Sequence, residues 1–331
     1  MHTRIRKDGK KMRVWIVGGG SIGLLYAAHL QAAGVDTVLV TRSEEQATAI
    51  AEAGITVATQ DGQQHVACHT MTIGQMAVAF EDEELAAPDW ILLTMKQYGI
   101  TSDVLRKLGS ICRSESQVNV LAMQNGIGHL ELLSEVVPIS RLFAAVVSEG
   151  AIRTSPTSVD HTGSGVTRLG MVEAGEEVRA DRGVYLKQLQ KVLQCAGFRC
   201  DLSNHLKDDI WHKLIINSII NPLTAILEIR NGVLLQHDSS LLVMRRLFDE
   251  ALTVALHHGV NADGTLWDHV LDVCRKTARN RSSTWQDMLA GRPTELKWMN
   301  GAIVQAADRL GIKVPTHEMI LQLMQTKEEI R

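Results

Sequence analysis

Residues Met12 to Arg42 read M-R-V-W-I-V-G-G-G-S-I-G-L-L-Y-A-A-H-L-Q-A-A-G-V-D-T-V-L-V-T-R, and this stretch constrains the fold more than any other. An apolar run, Val14 to Val17, ends in a glycine cluster. An alanine- and leucine-rich segment follows, and after Gly34 a second β-rich run begins at Thr37. The order is strand, tight turn, helix, strand, with Gly18, Gly20 and Gly23 at the G-x-G-x-x-G spacing of a dinucleotide site. Gly18 would allow the sharp turn, Gly20 would let a pyrophosphate approach the backbone, and Gly23 would let the helix lie close to the sheet. Ser21 and Ile22 open that helix, whose N-terminus would face the phosphates.

The residue after the second strand refines the expectation. Sites for NAD commonly place Asp or Glu there to take the ribose hydroxyls, but here the chain reads Thr41-Arg42-Ser43. A guanidinium pairs with a 2′-phosphate, so Arg42 favours NADPH. Glu44 and Glu45 are read as first-turn carboxylates of the next helix, 44 to 53.

The remaining first half alternates short β-like runs with turns and helices. Gly54–Val57 and Gln64–Cys68 flank the Asp61-Gly62 turn, and 71 to 85 is ambiguous. The buried run Asp89 to Thr94 delivers Lys96 just past a strand end, where the ligand crevice of an open α/β sheet lies. The run 118 to 123 likewise delivers Asn125, which before Gly126 could simply form a turn or, at a strand end, could offer its amide to both nicotinamide and substrate. Strands are expected at Leu142–Val147 and Val166–Met171, with a Ser/Thr/Gly-rich segment, 154 to 165, between them. A helix is expected at Asp181–Ala196 and an edge strand at Phe198–Cys200.

From Leu206 the periodicity is nearly all helical. Lys213, Asn217 and Asn221 recur every four residues, which puts an ammonium and two carboxamides on one face of an otherwise apolar helix. Such a stripe needs polar partners, from another helix or from a ligand. Pro222 is expected to kink or interrupt this helix. Further helices are read at Ser239–His258 and Leu266–Thr277, at a turn capped by Ser282 or Ser283, and from Thr294, with Glu295 in its first turn. The last starts at Pro315 and ends in a solvated tail, Lys327 to Arg331.

With 331 residues the chain can hold two domains. A balance of 34 basic and 37 acidic residues gives −3 and implies no nucleic-acid partner. The basic cluster Arg4, Arg6, Lys7, Lys10 and Lys11 lacks the apolar stretch of a signal peptide. No apolar run was expected to approach membrane length. Five scattered cysteines point to a reducing cytoplasm without disulfides, and Cys195 and Cys200 are read as buried thiols. No His/Cys/Asp cluster calls for a metal.

Taken together, these residues resemble the ketopantoate reductase (2-dehydropantoate 2-reductase) family, from Met12 to about Lys327. The landmarks are the glycine motif with its arginine, Thr94-x-Lys96, and Gln124-Asn125-Gly126. Most specific is the string from Trp211 through Lys213, Asn217 and Asn221-Pro222 to Ala225. Ser282-Ser283-x-x-Gln286-Asp287, Thr294-Glu295 and Asn300-Gly301 follow it. The resemblance implies a Rossmann-type α/β NADP-binding domain, 12–203, and an all-helical substrate-binding and dimerisation domain, 204–331, with the active site in the cleft between them. It implies reduction of ketopantoate to pantoate by NADPH, a step toward pantothenate and coenzyme A. Lys213 would then be the general acid, Glu295 would help organise cofactor and substrate, and Asn125 would lie near the reacting carbon. Asn217, Asn221 and Ser283 would hold the substrate. Arg42, Lys96 and the backbone at Ala151 would contact the cofactor. A homodimer is a further expectation. After Lys96 the family commonly continues with an aromatic and then a polar residue, whereas this chain reads Gln97-Tyr98-Gly99 and Gly99 removes a side chain near cofactor or substrate, so reduction of a different 2-oxo acid is the alternative. A non-catalytic NADP-binding sensor would need neither Lys213 nor Glu295.

Overall fold

The computed structural model describes residues 11–76, 87–114, 117–172 and 179–330. Arg4, Arg6, Lys7 and Lys10 of the basic cluster, most of the ambiguous segment 71 to 85, and Arg331 lie outside the described residues. The chain divides into two compact units. One comprises residues up to Gln124 together with His129–Leu206; the other comprises Asn125–Gly128 and Lys207 onward. The division thus falls at 206 rather than 203, and Asn125–Gly128 group with the helical unit.

In the first unit, β-branched and leucine-rich runs form strands buried on both faces. These are β1 (Arg13–Val17), β2 (Asp36–Thr41), β6 (Trp90–Leu93), β7 (Asn119–Ala122) and β8 (Leu142–Val147). With β5 (His69–Thr72), β11 (Thr167–Met171) and β12 (Cys200–Leu202) they make a sheet in the order β12-β11-β8-β7-β6-β1-β2-β5. β1 lies between β2 and β6, with Val17 level with both Val40 and Leu93. The strand order reverses around β1, and the ligand crevice of such sheets opens at that switch point. Helices α1 (Ser21–Ala32), α2 (Glu44–Ala53), α3 (Ser102–Ser114), α4 (His129–Ser134) and α5 (Arg179–Cys195) belong to the same unit.

A second sheet, β4-β3-β10-β9, was only half anticipated. β3 (Ile55–Thr59) and β4 (Gly62–Val66) form the hairpin read from Asp61-Gly62. β9 (Gly150–Arg153) and β10 (Ser158–Gly163) form another, with β9 just before the Ser/Thr/Gly-rich segment 154 to 165 and β10 inside it, where no strand was expected. The sequence of β10, S-V-D-H-T-G, buries only Val159, so no hydrophobic alternation marks it. Cys200 is buried as expected, but Cys195 is exposed near the end of α5.

The second unit is built on α6 (Leu206–Leu227), α7 (Asp238–His257), α8 (Leu266–Lys276), α9 (Ser283–Leu289), α10 (Asn300–Leu310) and α11 (Pro315–Glu329). α6 is 22 residues long and apolar enough to span a membrane, contrary to expectation, but 67% of its apolar window is buried. Trp211, Ile215, Ile219 and Leu223 pack against Leu247, Val254 and Ile303, the composition of a core helix.

Pro222 does not interrupt α6, which runs on to Leu227. Proline lacks the N–H that would reach the carbonyl four residues back. That carbonyl, Ser218 O, instead accepts a hydrogen bond from Asn300 Nδ2 at 2.9 Å. Nor is Lys327 solvated. Its Nζ donates to Ala225 O at 2.9 Å and Ile226 O at 3.1 Å, capping the final turn of α6 where Glu228 takes a positive φ of 57°.

Candidate active site

In the first unit the three motif glycines have different reasons to be glycine. Gly18 has φ 127°, and a Cβ there would lie 2.5 Å from Met95 N. A Cβ on Gly23 would stand 1.7 Å from Gly18 O and 2.8 Å from Thr94 Oγ1. The fold itself requires both. A Cβ on Gly20 meets nothing within 4 Å. Gly20 is also the N-cap of α1 and offers no side chain to the first-turn amides. Open space over uncapped helix amides fits the pyrophosphate of a dinucleotide.

Other first-unit residues frame this loop. Ser43 caps α2 by accepting from Gln46 N at 3.3 Å, and Glu44 and Glu45 occupy the first turn as expected. Gln46 turns back to donate from Nε2 to Gly19 O at 2.8 Å. Arg42, just before that cap, is exposed and makes no ion pair among the described residues. Lys96 is half-buried and precedes a 3-10 turn, Gln97–Gly99. A Cβ on Gly99 would press Met95 Cγ and Cβ at 3.2 and 3.3 Å, so a side chain there needs Met95 to shift by a few tenths of an ångström. Ala151 is half-buried on β9, and the same strand is tied to the loop by Arg153 N, which donates to Ser21 Oγ at 3.0 Å.

In the second unit, α6 presents Lys213, Asn217 and Asn221 along one face. Burial pushes the Lys213 ammonium down to about 8, while the Glu295 carboxylate opposes part of that fall. Glu295 is buried and accepts from Asn125 Nδ2 at 3.3 Å. Ile127 N donates to Trp298 O at 3.3 Å, fastening the segment that carries Asn125 beside the turn that carries Glu295. Glu295 does not open an α-helix as expected. It precedes the 3-10 turn Leu296–Trp298, and α10 begins only at Asn300. Its position is therefore owed to side-chain partners rather than to a helix dipole.

Asn221 is buried, and its Nδ2 donates to Ser283 Oγ over a long 3.4 Å. Asn217 is half-buried and makes no side-chain hydrogen bond among the described residues. Ser283 is exposed at the start of α9, whereas the cap is Ser282, whose Oγ accepts from Trp285 N at 3.2 Å. Ser282 Oγ also accepts from Thr224 Oγ1 at 2.8 Å. This pin between α6 and α9, which sets where Ser283 stands, was missed from sequence although both residues lie inside the quoted motifs. The structure thus gathers Lys213, Asn217, Asn221, Ser283, Glu295 and Asn125 in one unit. It places the glycine loop, Arg42, Lys96 and Ala151 in the other.

A mostly parallel sheet, antiparallel only between β8 and β11, with a glycine loop at its switch point, and a helical unit bearing a lysine of lowered pKa beside amides, define a dinucleotide-dependent oxidoreductase. The chain belongs to the ketopantoate reductase family. Residues 14–174 match the family model Ketopantoate reductase PanE/ApbA, and residues 205–328 match its C-terminal counterpart. The chain is 32% identical to 2-dehydropantoate 2-reductase of Bacillus subtilis over 308 residues, 91% of this chain and 92% of that one. Its structure resembles the PanE/ApbA family ketopantoate reductase from Ralstonia eutropha JMP134, with TM-score 0.82 and 25% identity over 96% and 99% of the two chains. It shares its fold with a D-mandelate dehydrogenase solved with NADH and anilino(oxo)acetate, with TM-score 0.83 and 22% identity over 96% and 99%.

Proposed function

We propose that this protein reduces 2-dehydropantoate to (R)-pantoate with NADPH, using Lys213 as the general acid. The observation that carries the reading is the Lys213 ammonium, held near a pKa of about 8 opposite Glu295 and aligned with Asn217 and Asn221. Bound NADPH supplies hydride to the 2-oxo carbon. Negative charge then develops on the ketone oxygen, and an ammonium at that oxygen stabilises the charge and donates its proton there. The lowered pKa makes the donation easier than from an ordinary lysine while keeping the group mostly protonated at neutral pH.

The amides of Asn217 and Asn221 and the Ser283 hydroxyl hold the carboxylate and hydroxyl ends of the substrate. Asn125 and Glu295 fix the orientation of the reacting groups. Arg42 takes the 2′-phosphate, Lys96 lines the cofactor site, and the backbone at Ala151 contributes contacts to it. The relative from Bacillus subtilis, named for the same reaction, supports the choice of substrate.

The test is NADPH oxidation with 2-dehydropantoate and with a panel of shorter and aromatic 2-oxo acids. A kcat/KM for 2-dehydropantoate at least tenfold above every other acid is expected. Preference for another member moves the enzyme to that substrate. Lys213→Ala should lower kcat by about 10²–10⁴-fold, the usual worth of a positioned acid. An unchanged kcat in that variant sinks the assignment of the proton donor.

A further inference from the structure

We infer that Gln46 is a positioning residue of the dinucleotide site, fixing the Gly19–Gly20 peptide so that the Gly20 N–H faces the pyrophosphate. This rests on the dinucleotide reading of the glycine loop. Three successive glycines, Gly18 to Gly20, form that loop. Glycine tolerates both signs of φ, so a peptide plane between two glycines turns over at little cost. The loop therefore needs a partner from elsewhere in the chain to hold one orientation.

Gln46 is buried, and its Nε2 donates to Gly19 O at 2.8 Å. The peptide is planar and trans, so its N–H points opposite to its carbonyl. With Gly19 O held toward Gln46, the Gly20 N–H is turned to the far side, where it meets no acceptor among the described residues. There it joins the uncapped first-turn amides of α1. The second Nε2 hydrogen goes to Pro156 O, also at 2.8 Å, in the turn between β9 and β10. Both amide hydrogens are thus used, and a flipped amide would set Oε1 against two carbonyl oxygens. A Cβ on Gly19 would lie 2.6 Å from Gln46 Oε1, so a side chain there would displace the amide.

The attachments at both ends are themselves fixed. Ser43 Oγ accepts from Gln46 N at 3.3 Å, and Ser43 O accepts from Thr41 Oγ1 at 2.9 Å. Thr70 Oγ1, on β5, donates to Ala47 O at 2.9 Å. At the hairpin, Thr56 N on β3 donates to Thr157 O at 2.9 Å. Arg153 Nη1 also donates to Gly19 O, at 3.1 Å, but from an exposed residue, so the buried amide is the less yielding of the two donors. Because Ser43 directly follows Arg42, one helix start carries both the residue assigned to the 2′-phosphate and the one that holds the pyrophosphate loop.

The pyrophosphate is common to NADPH and NADH and absent from adenosine 2′-phosphate, so the two roles are separable by ligand. Dissociation constants of all three are measured by tryptophan fluorescence on the full chain, with thermal unfolding and steady-state kinetics on the preferred 2-oxo acid for each variant. Gln46→Met keeps the length of the side chain and removes its donor. It is expected to weaken NADPH and NADH alike by about three- to tenfold, the worth of an ordinary hydrogen bond, and to leave adenosine 2′-phosphate unchanged. The KM for NADPH should rise by the same factor while kcat at saturating NADPH stays within about twofold. Gln46→Glu, nearly isosteric, sets a carboxylate against Gly19 O and should weaken both dinucleotides further. Unchanged dinucleotide affinity in both variants overturns the assignment. So does equal weakening of all three ligands, weakening confined to NADPH and adenosine 2′-phosphate, or a fall in kcat with KM unmoved. If the unsubstituted protein binds neither dinucleotide, the underlying reading fails and this assignment with it.

Discussion

In the proposed mechanism Lys213 donates a proton at neutral pH, and burial makes it less basic than a lysine in water, which eases that donation. Its pKa of about 8 is a balance, because desolvation lowers it and the Glu295 carboxylate raises it. The proposed mechanism requires the protonated form, so kcat/KM is expected to fall about tenfold per pH unit above about 8. Glu295→Gln removes the opposing charge and should move that limb to lower pH, as a pH–rate profile of the two proteins will show. A profile flat to pH 10 would contradict the role of Lys213. The candidate residues were legible in the sequence because their types and spacing carry the chemistry: an ammonium and two amides every fourth residue, and an arginine where a carboxylate is usual. Arg153 and Gln46 were not legible. Their use depends on a hairpin and a helix start folding back onto Gly19, which spacing along the chain does not encode.

Among the elements, α6 shows how a residue that ought to break a helix is accommodated. Pro222 leaves Ser218 O without its backbone donor, and Asn300 supplies one from the start of α10. The same amide donates to His317 Nδ1 at 3.1 Å, while His317 Nε2 donates to Leu247 O at 2.9 Å. One side chain therefore ties together α6, α10 and α11. Asn300→Ala should destabilise the protein by about 2–4 kcal/mol in urea unfolding, since it strands two buried acceptors. In a Pro222→Ala background the loss should be smaller, because the restored N–H serves Ser218 O, and equal losses in the two backgrounds would refute the coupling. The long apolar helices and the parallel strands were readable from periodicity. The β9–β10 hairpin was not, because β10 is polar and gains its strand character from pairing with β3.

At the scale of the whole molecule, stability should rise with pH in two windows. His129 is held down at about 4 by burial, and His29 and His317 are lowered, again chiefly by burial. Below the ordinary value of 6.5 the unfolded chain binds protons that the folded chain refuses, so stability is lost as pH falls from 6.5 toward 4. Lys213 adds a second window. Its folded value of about 8 lies below 10.5, so its burial penalty is full below 8 and is relieved as pH climbs toward 10.5. Urea midpoints measured at pH 7.5 and 5 should drop at the lower pH, and His129→Leu should flatten part of that drop. Equal midpoints would show that the imidazoles do not govern it. The two units are not consecutive lengths of chain, because Asn125–Gly128 leave the sheet-bearing unit to join the helical one before the chain returns at His129. Exchange of C-terminal halves between relatives by a single crossover near residue 206 would carry Lys213 and Glu295 together but leave Asn125 behind with the other parent. The Asn125–Glu295 pair would then be inherited from two lineages, so the helical unit cannot be shuffled as one cassette without separating residues that touch.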